Sequence, residues 1–213
     1  RCARMAVPCA SVTVVDDASH PVREETAEVL RSMGAEYVQS SWERHGNLRG
    51  PDCIRGMLSE MCRDAGDDDI LVKVDCDTAL LDGGWLRWME QRRWCQMYAS
   101  GSLVDGEWMI YGCLYALRGR VARRLLRDMD WENMDALAPE DWTIGRAALA
   151  SFPAALARID EPWSQRTPWS SWTAWCWYSL TASPERYASR FAVVTTGNPR
   201  LDTQPASERA RVM

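Results

Sequence analysis

The sequence contains almost no lysine: Lys73 is the only one, whereas arginine is plentiful. We interpret this scarcity as a usage bias of the source genome. Basic charge is not in surplus either, because 25 Lys and Arg residues face 30 Asp and Glu residues, a formal net charge of -5. Nucleic-acid binding needs a basic face that neutralises phosphates. The acidic balance therefore excludes nucleic acid as an expected partner.

Long apolar runs and paired cysteines are missing as well. No stretch approaches the roughly 18 consecutive apolar residues of a membrane span, and the start RCARMAVPCA has no apolar signal-peptide core. The eight cysteines form no C-x-x-C pair and no zinc-finger spacing with a histidine. We expect a soluble, cytoplasmic protein with reduced thiols and no transmembrane segment. Because the chain begins with Arg1, we also expect an N-terminal piece to precede it.

What is present is an ordinary globular composition, with 46% hydrophobic and 26% charged residues. We predict a single domain over 1–197 and a flexible polar tail over 198–213. Apolar patterns indicate a strand from Ser11, a helix ending at Gly34 and then a second strand. A helix opening at Pro51 and a strand over Ile70–Val74 follow.

Strands that alternate with helices favour right-handed βαβ units. We therefore predict an α/β fold with a mostly parallel sheet flanked by helices. Two strands around Gly101 and Gly106, the second broken at Gly112, indicate a small antiparallel part. The apolar strand over Ile70–Val74 has the composition of a central strand of a parallel sheet.

That strand runs directly into Asp75 and Asp77. An unpaired charge is costly to bury, so both carboxylates must meet water or a cation. Open α/β sheets bind ligands at the carboxyl ends of their strands, and Mg²⁺ and Mn²⁺ prefer carboxylate oxygen. The pattern favours a divalent metal beside a nucleoside diphosphate. The alternative is a solvated loop in which Asp77 caps the next helix.

Four motifs in order carry a family resemblance. They are VDDAS (Val15–Ser19), HGNLRG (His45–Gly50), DDDILVKVDCDTALL (Asp67–Leu81) and PEDW (Pro139–Trp142). In spacing and sequence they resemble the GT-A glycosyltransferases, most closely glycosyltransferase family 2. The resemblance implies a GT-A-like, Rossmann-like fold and transfer of a sugar from a UDP- or GDP-sugar to a saccharide or other hydroxyl acceptor. It also implies Mn²⁺ or Mg²⁺ as cofactor and inversion at the anomeric carbon.

On the donor side, the resemblance assigns Asp16 or Asp17 to the base or ribose of the nucleotide. It places Asp75 near the ribose or a metal-bound water, and it makes Asp77 the metal ligand, so Asp75 and Asp77 form the predicted metal site. The ordinary alternative for Asp16 and Asp17 is a turn aspartate.

On the acceptor side, Asp141 resembles the family's catalytic base, and Glu140 is the neighbouring candidate. Geometry must choose between them, because a base has to lie within hydrogen-bond reach of the hydroxyl. Acidic residues that merely stabilise a helix N-terminus are the alternative.

The sequence also departs from the family pattern. Nothing before Val12 supplies the usual first strand, and the only histidines, His20 and His45, come early, so no late histidine is available as a metal ligand. These departures motivate a rival hypothesis, a catalytically degenerate binding or assembly protein. A nucleotidyltransferase is a further alternative, but it needs a Gly-rich phosphate loop that the chain lacks.

Tryptophans are concentrated between Trp163 and Trp177. Aromatic faces pack on the C–H faces of sugars, so we assign acceptor binding to Trp142, Trp169 and Trp172. The alternative for the tryptophan-rich segment is a packed core or a homodimer surface. A basic helix lies earlier in the chain, and we interpret it as a solvated face, with contact to lipid headgroups or an anionic acceptor as the alternative. Its arginines are Arg118, Arg120, Arg123, Arg124 and Arg127.

Overall fold

A computed structural model describes most of the first 151 residues. The described residues are 3, 6–16, 18–45, 48–76, 78–80, 82–104 and 107–151, without the side chains of 79, 100–104 and 107–109, and the backbone of strands 157–160, 173–175 and 193–195. Several predictions lie outside this range, namely those on Asp17, Asp77, Trp169 and Trp172, the domain end at 197 and the tail over 198–213.

The described part of the chain contains both helices and strands. The helices are α1 (Glu24–Ser32), α2 (Pro51–Cys62), α3 (Gly84–Glu90), α4 (Gly119–Asp128) and α5 (Glu140–Ser151). The strands are β1 (Thr13–Asp16), β2 (Glu36–Gln39), β3 (Ile70–Val74), β4 (Thr78–Leu80), β5 (Met97–Val104), β6 (Glu107–Arg118), β7 (Ala157–Asp160), β8 (Thr173–Trp175) and β9 (Val193–Thr195).

The sheets combine parallel and antiparallel pairs. β1 and β2 pair in parallel, and a four-stranded sheet has the order β3-β6-β5-β7. In it β6 runs antiparallel to β3 and β5, whereas β7 is parallel to β5. A third sheet has the order β4-β9-β8. The predicted α/β class is confirmed, but within the described residues β3 pairs with an antiparallel neighbour where we expected parallel ones. An apolar run reports burial and not strand direction.

The core covers both faces of β6, because successive side chains of a strand point to opposite sides of the sheet. Tyr115 and Leu117 belong to one buried cluster, with residues of α2, α4 and α5. Leu114 and Ala116 belong to a second cluster, around Trp85. This two-sided burial explains why the second half of β6 is almost continuously apolar.

Local signals for the first helices are confirmed. Gly34, with φ 78°, follows α1 in the left-handed conformation that glycine adopts without strain. Pro51 opens α2. Gly112 lies within β6 and does not end the strand as we predicted, but the pairing of β6 with β5 is irregular around it. Among the described residues no helix is long and apolar enough to cross a membrane.

The arginines of α4 form ion pairs at the protein surface. Arg120 pairs with Asp68 at 2.7 Å and Arg123 with Asp67 at 2.8 Å, so the helix is fastened to the acidic turn before β3. This pairing orients the turn that leads into the strand carrying Lys73 and Asp75.

Arg118, the last residue of β6, is 3% exposed and binds backbone carbonyls from three segments. Its guanidinium donates to the carbonyl oxygens of Met89 (2.6 Å), Asp68 (2.8 Å), Cys95 (3.3 Å) and Arg92 (3.4 Å). Burial lowers the pKa of Arg118 from its ordinary value. The side chain thus joins the end of α3 to the turn before β3.

The substitution Arg118→Met keeps most of the apolar stem and leaves these buried carbonyls without their donor. We expect the free energy of unfolding, measured with urea, to fall by roughly 3 kcal/mol. Arg127→Met is the matched control, because Arg127 is exposed and pairs with its neighbour Asp128, and we expect a much smaller loss than in Arg118→Met. Equal losses in the two variants would contradict the structural role of Arg118.

Candidate active site

The candidate site lies where the end of β3 and the start of α5 meet β6. Asp75 follows β3, and its N–H donates to the Cys113 carbonyl oxygen at 2.9 Å. Glu140 and Asp141 are the first residues of α5. Gly112 of β6 lies between the two segments and contacts both. The fold thus brings together predicted donor-side and acceptor-side carboxylates that are 65 or more positions apart in the chain.

An irregularity in β6 creates this meeting point. Ala99 of β5 faces Tyr115, but Gly101 faces Ile110, so β6 carries extra residues between the two pairs. Such bulges interrupt the ladder and redirect the chain, often beside active sites. The N–H of Gly112 donates to Asp141 Oδ2 at 3.1 Å, and its carbonyl oxygen accepts a hydrogen bond from Lys73.

Gly112 also permits a close approach. A Cβ atom at this position would lie 3.1 Å from Asp141 Oδ2 and 3.2 Å from Glu140 Oε2, which is tighter than ordinary packing. The missing side chain lets both carboxylates lie against the strand.

Lys73 connects the carboxylates. The side chain is 9% exposed, and its Nζ donates to Asp75 Oδ1 at 2.6 Å. Nζ also lies 3.7 Å from Glu140 Oε2 and 5.8 Å from the centre of the Tyr115 ring. Burial lowers the pKa of Lys73, but the carboxylates of Glu140 and Asp75 outweigh it and hold the pKa above its ordinary value. The ammonium therefore stays charged.

The two acids of α5 lie in different surroundings. Glu140 is 3% exposed, and burial raises the pKa of its carboxyl to about 7, while Lys73 and the Tyr115 hydroxyl oppose the rise. Asp141 is only partly buried. Burial raises the pKa of Asp141 too, and hydrogen bonds from the N–H groups of Trp142 and Gly112 oppose that rise.

The loop that ends the HGNLRG motif holds the start of α5 in place. The N–H of Glu140 donates to the Leu48 carbonyl oxygen at 3.1 Å, and the N–H of Gly50 donates to Ala138 at 3.0 Å. Gly50 has φ 82° and lies so close to Ala136 that a Cβ atom would come within 2.6 Å of its carbonyl oxygen. Two motifs of the resemblance, HGNLRG and PEDW, are thus in direct backbone contact.

The remaining predicted residues are placed as follows. Asp16 ends β1, and its Oδ2 accepts hydrogen bonds from the Val22 N–H and the Tyr37 hydroxyl, both at 2.6 Å. It therefore shapes the loop after β1, and nucleotide binding by Asp16 stays a prediction. Trp142 is 39% exposed beside Asp141, where an acceptor platform would have to be.

The described residues contain no group of three or more His, Cys, Asp or Glu side chains that could hold a metal ion, and Asp77 lies outside them. Asp75 offers a half-exposed carboxylate in which Lys73 contacts Oδ1. An open carboxylate of this kind suits Mg²⁺ or Mn²⁺, which bind few protein oxygens and keep water or phosphate as further ligands. The carboxylate oxygen that Asp75 offers as a ligand therefore fits a hard divalent ion.

The chain has an α/β fold with carboxylates at a strand end and at a facing helix start. Comparison with solved structures identifies the fold as GT-A-like. The galactosyltransferase LgtC, solved in complex with donor and acceptor sugar analogues, superimposes with a TM-score of 0.54 at 14% identity over 92% of this chain and 80% of that chain.

A glycosyltransferase involved in the glycosylation of the major capsid of PBCV-1 gives a TM-score of 0.44 at 10% identity, over 96% of this chain and 100% of that chain. No protein-family model and no curated protein sequence matches the chain. The likeness to LgtC shows the GT-A-like fold, and the reaction has to follow from the chemistry of the site.

Two residues of the site were not predicted from the sequence. Lys73 was attributed to codon usage and Gly112 to a strand break. A signal for Lys73 was available, since a single lysine inside an apolar strand must find a buried partner. The position of Gly112 depends on pairing between β5 and β6, which no local pattern reveals.

The raised pKa of Glu140 predicts a pH dependence of stability. Between its ordinary value of 4.5 and about 7, the folded protein retains a proton that the unfolded chain has released. The free energy of unfolding must therefore fall as the pH rises through this window, by up to about 1.4 kcal/mol per pH unit. Urea unfolding at several pH values should show a shallower slope in Glu140→Gln than in the wild type.

Glu132→Gln, which removes an exposed carboxylate, is the control and should leave the slope unchanged. A wild-type slope that Glu140→Gln does not alter would show that Glu140 titrates as an ordinary carboxylate.

Proposed function

We propose that this protein is a metal-dependent glycosyltransferase that moves a sugar from a UDP- or GDP-sugar to a hydroxyl acceptor. The observation that carries the proposal is that Gly112 joins the end of β3 to the start of α5. Its carbonyl oxygen accepts a hydrogen bond from Lys73, which pairs with Asp75, and its N–H donates to Asp141. A transferase of this kind needs one carboxylate toward the donor and one toward the acceptor. The motif resemblance to glycosyltransferase family 2 supports the same assignment.

Asp141 is the better candidate for the catalytic base. Asp141 is partly exposed, whereas Glu140 is buried at the start of α5 and contacts Lys73. A base must reach the acceptor hydroxyl within hydrogen-bond distance. The exposed face of Trp142 beside Asp141 suits the C–H surface of a saccharide acceptor. Glu140 then keeps Lys73 and the start of α5 in place.

The reaction proposed is a single displacement. The acceptor oxygen attacks the anomeric carbon while the bond from that carbon to the nucleoside diphosphate breaks. The hydroxyl proton passes to the Asp141 carboxylate, and the bonding electrons leave with the diphosphate. By the family resemblance, attack from the opposite face gives inversion.

Asp75 and Asp77 are proposed to hold the divalent ion, Mn²⁺ or Mg²⁺, and Asp16 and Asp17 are proposed to contact the nucleoside. When bound, such an ion offsets the negative charge that gathers on the departing diphosphate. The protein's own contribution is to orient Asp75 at the end of β3 by the hydrogen bond of its N–H and the ion pair with Lys73.

Replacing the base should abolish turnover and spare nucleotide binding. In Asp141→Asn we expect release of UDP or GDP from a panel of UDP- and GDP-sugars to fall by about a hundredfold or more, because the acceptor proton has no base. Calorimetric affinity for UDP or GDP should stay within about twofold. The control Asp64→Asn changes a side chain that is 88% exposed and should be fully active.

Two results would contradict this account. Full turnover by Asp141→Asn would remove Asp141 from the chemistry. Absence of binding to any nucleotide by the wild type would favour the rival reading, a binding or assembly protein with this fold.

Metal dependence should appear in binding as well as in turnover. We expect titration of UDP and GDP to give at least tenfold tighter binding with Mn²⁺ than with a chelator, and Asp77→Asn to lose that gain. Asp82→Asn is the matched control, since Asp82 is an exposed carboxylate beyond β4. Nucleotide affinity that is the same with and without Mn²⁺ would overturn the metal assignment while leaving the fold assignment intact.

A further inference from the structure

We propose that Lys73 is a positioning residue of the transfer reaction, which holds the donor-side carboxylate Asp75 and the acceptor-side unit of Gly112 and Asp141 in a fixed relation. The inference rests on the proposed function, because it assigns Lys73 a role between the two halves of that site. Lys73 itself does not touch the reacting atoms.

The contacts of the ammonium group carry the inference. Nζ binds Asp75 Oδ1 at 2.6 Å and the Gly112 carbonyl oxygen, and it lies 3.7 Å from Glu140 Oε2. These acceptors belong to three elements: the end of β3, the bulge of β6 and the start of α5. An ammonium has three N–H donors, so one group can serve all three directions.

The Gly112 peptide extends the connection to the predicted base. Its carbonyl oxygen binds Lys73, and its N–H binds Asp141 Oδ2 at 3.1 Å. A displacement of Lys73 therefore acts on Asp75 directly and on Asp141 through one peptide group. Among the described residues, the ion pairs of Asp75 and Glu140 are both made with Lys73.

Stability alone does not account for a lysine here. Its neighbours Val72 and Val74 are apolar, and replacing a buried ion pair with packed apolar side chains is often neutral or stabilising. Arginine supplies all the other basic residues of the chain. A planar guanidinium is longer and donates in a flat fork, whereas the ammonium is a compact point charge. The only lysine of the sequence thus lies where the three acceptors require a compact cation.

The expected kinetic signature separates positioning from binding. Asp75 keeps its backbone hydrogen bond to Cys113 without Lys73, so nucleotide affinity should change by less than tenfold. The relation between donor and base should loosen, and a misplacement of about 1 Å can cost roughly a hundredfold in rate. The effect should therefore fall mainly on kcat and little on the donor KM.

The decisive comparison uses Lys73→Met, Glu140→Gln and the double variant. Lys73→Met leaves the Glu140 carboxyl buried without its cation and is expected to lose stability. The double variant removes both charges and should regain stability. We expect its kcat, measured as nucleoside diphosphate release from UDP- and GDP-sugars, to remain about a hundredfold below that of Glu140→Gln. A purely structural lysine would let kcat return together with stability.

A second measurement does not depend on the folding of the Lys73 variants. Because Lys73 is the only lysine, protein labelled with isotope-enriched lysine gives one side-chain signal by NMR. We expect this signal to shift when UDP or GDP is added at saturating concentration and to shift in Asp75→Asn. If calorimetry shows that the nucleotide binds but the lysine NMR signal does not shift, the inference is overturned. Full kcat in the double variant would also overturn it. A wild type without nucleotide binding or turnover would instead overturn the proposed function itself.

Discussion

The site depends on one buried cation. Lys73 is enclosed by the end of β3, the bulge of β6 and the start of α5, and its charge is stabilised by Asp75, Glu140 and a backbone carbonyl. The buried carboxylate of Glu140 would be costly to bury by itself, whereas Asp75 is half-exposed. The lysine offsets part of that cost. Burial still raises the pKa of Glu140, and the carboxylates of Glu140 and Asp75 raise the pKa of Lys73.

The backbone around Lys73 gives its carbonyl acceptor and the carboxylates room to approach. The irregular pairing of β5 and β6 exposes both polar groups of Gly112 to side chains, and the absent Cβ lets the two acids of α5 approach. Behind α5, the loop at Leu48 and Gly50 fixes the first helical turn through backbone hydrogen bonds. At the other end of β6, Arg118 and the arginines of α4 secure the turn that leads into β3. The catalytic proposal thus relies on rigid elements more than on loops.

Much of this arrangement was predictable and part of it was not. Helix boundaries at Gly34 and Pro51 follow from local backbone preferences, and the apolar run of β3 ending in Asp75 follows from burial. The meeting of the end of β3 with the start of α5 at Gly112 was predictable only through the order of four motifs. The antiparallel partner of β3, the bulge at Gly112 and the contacts of Lys73 arise from pairing between segments distant in sequence, and single-sequence patterns contain little information about them.

The central claim is that a nucleotide-sugar occupies the space between Asp75 and Asp141. The most direct test is a crystal structure of the protein soaked with UDP or GDP and Mn²⁺. We expect the diphosphate at the end of β3 beside Asp75, with its terminal phosphate directed toward Asp141 and Trp142. A nucleotide bound away from β3, for example in the polar groove lined by Trp42, Asp52 and Arg55, would contradict it.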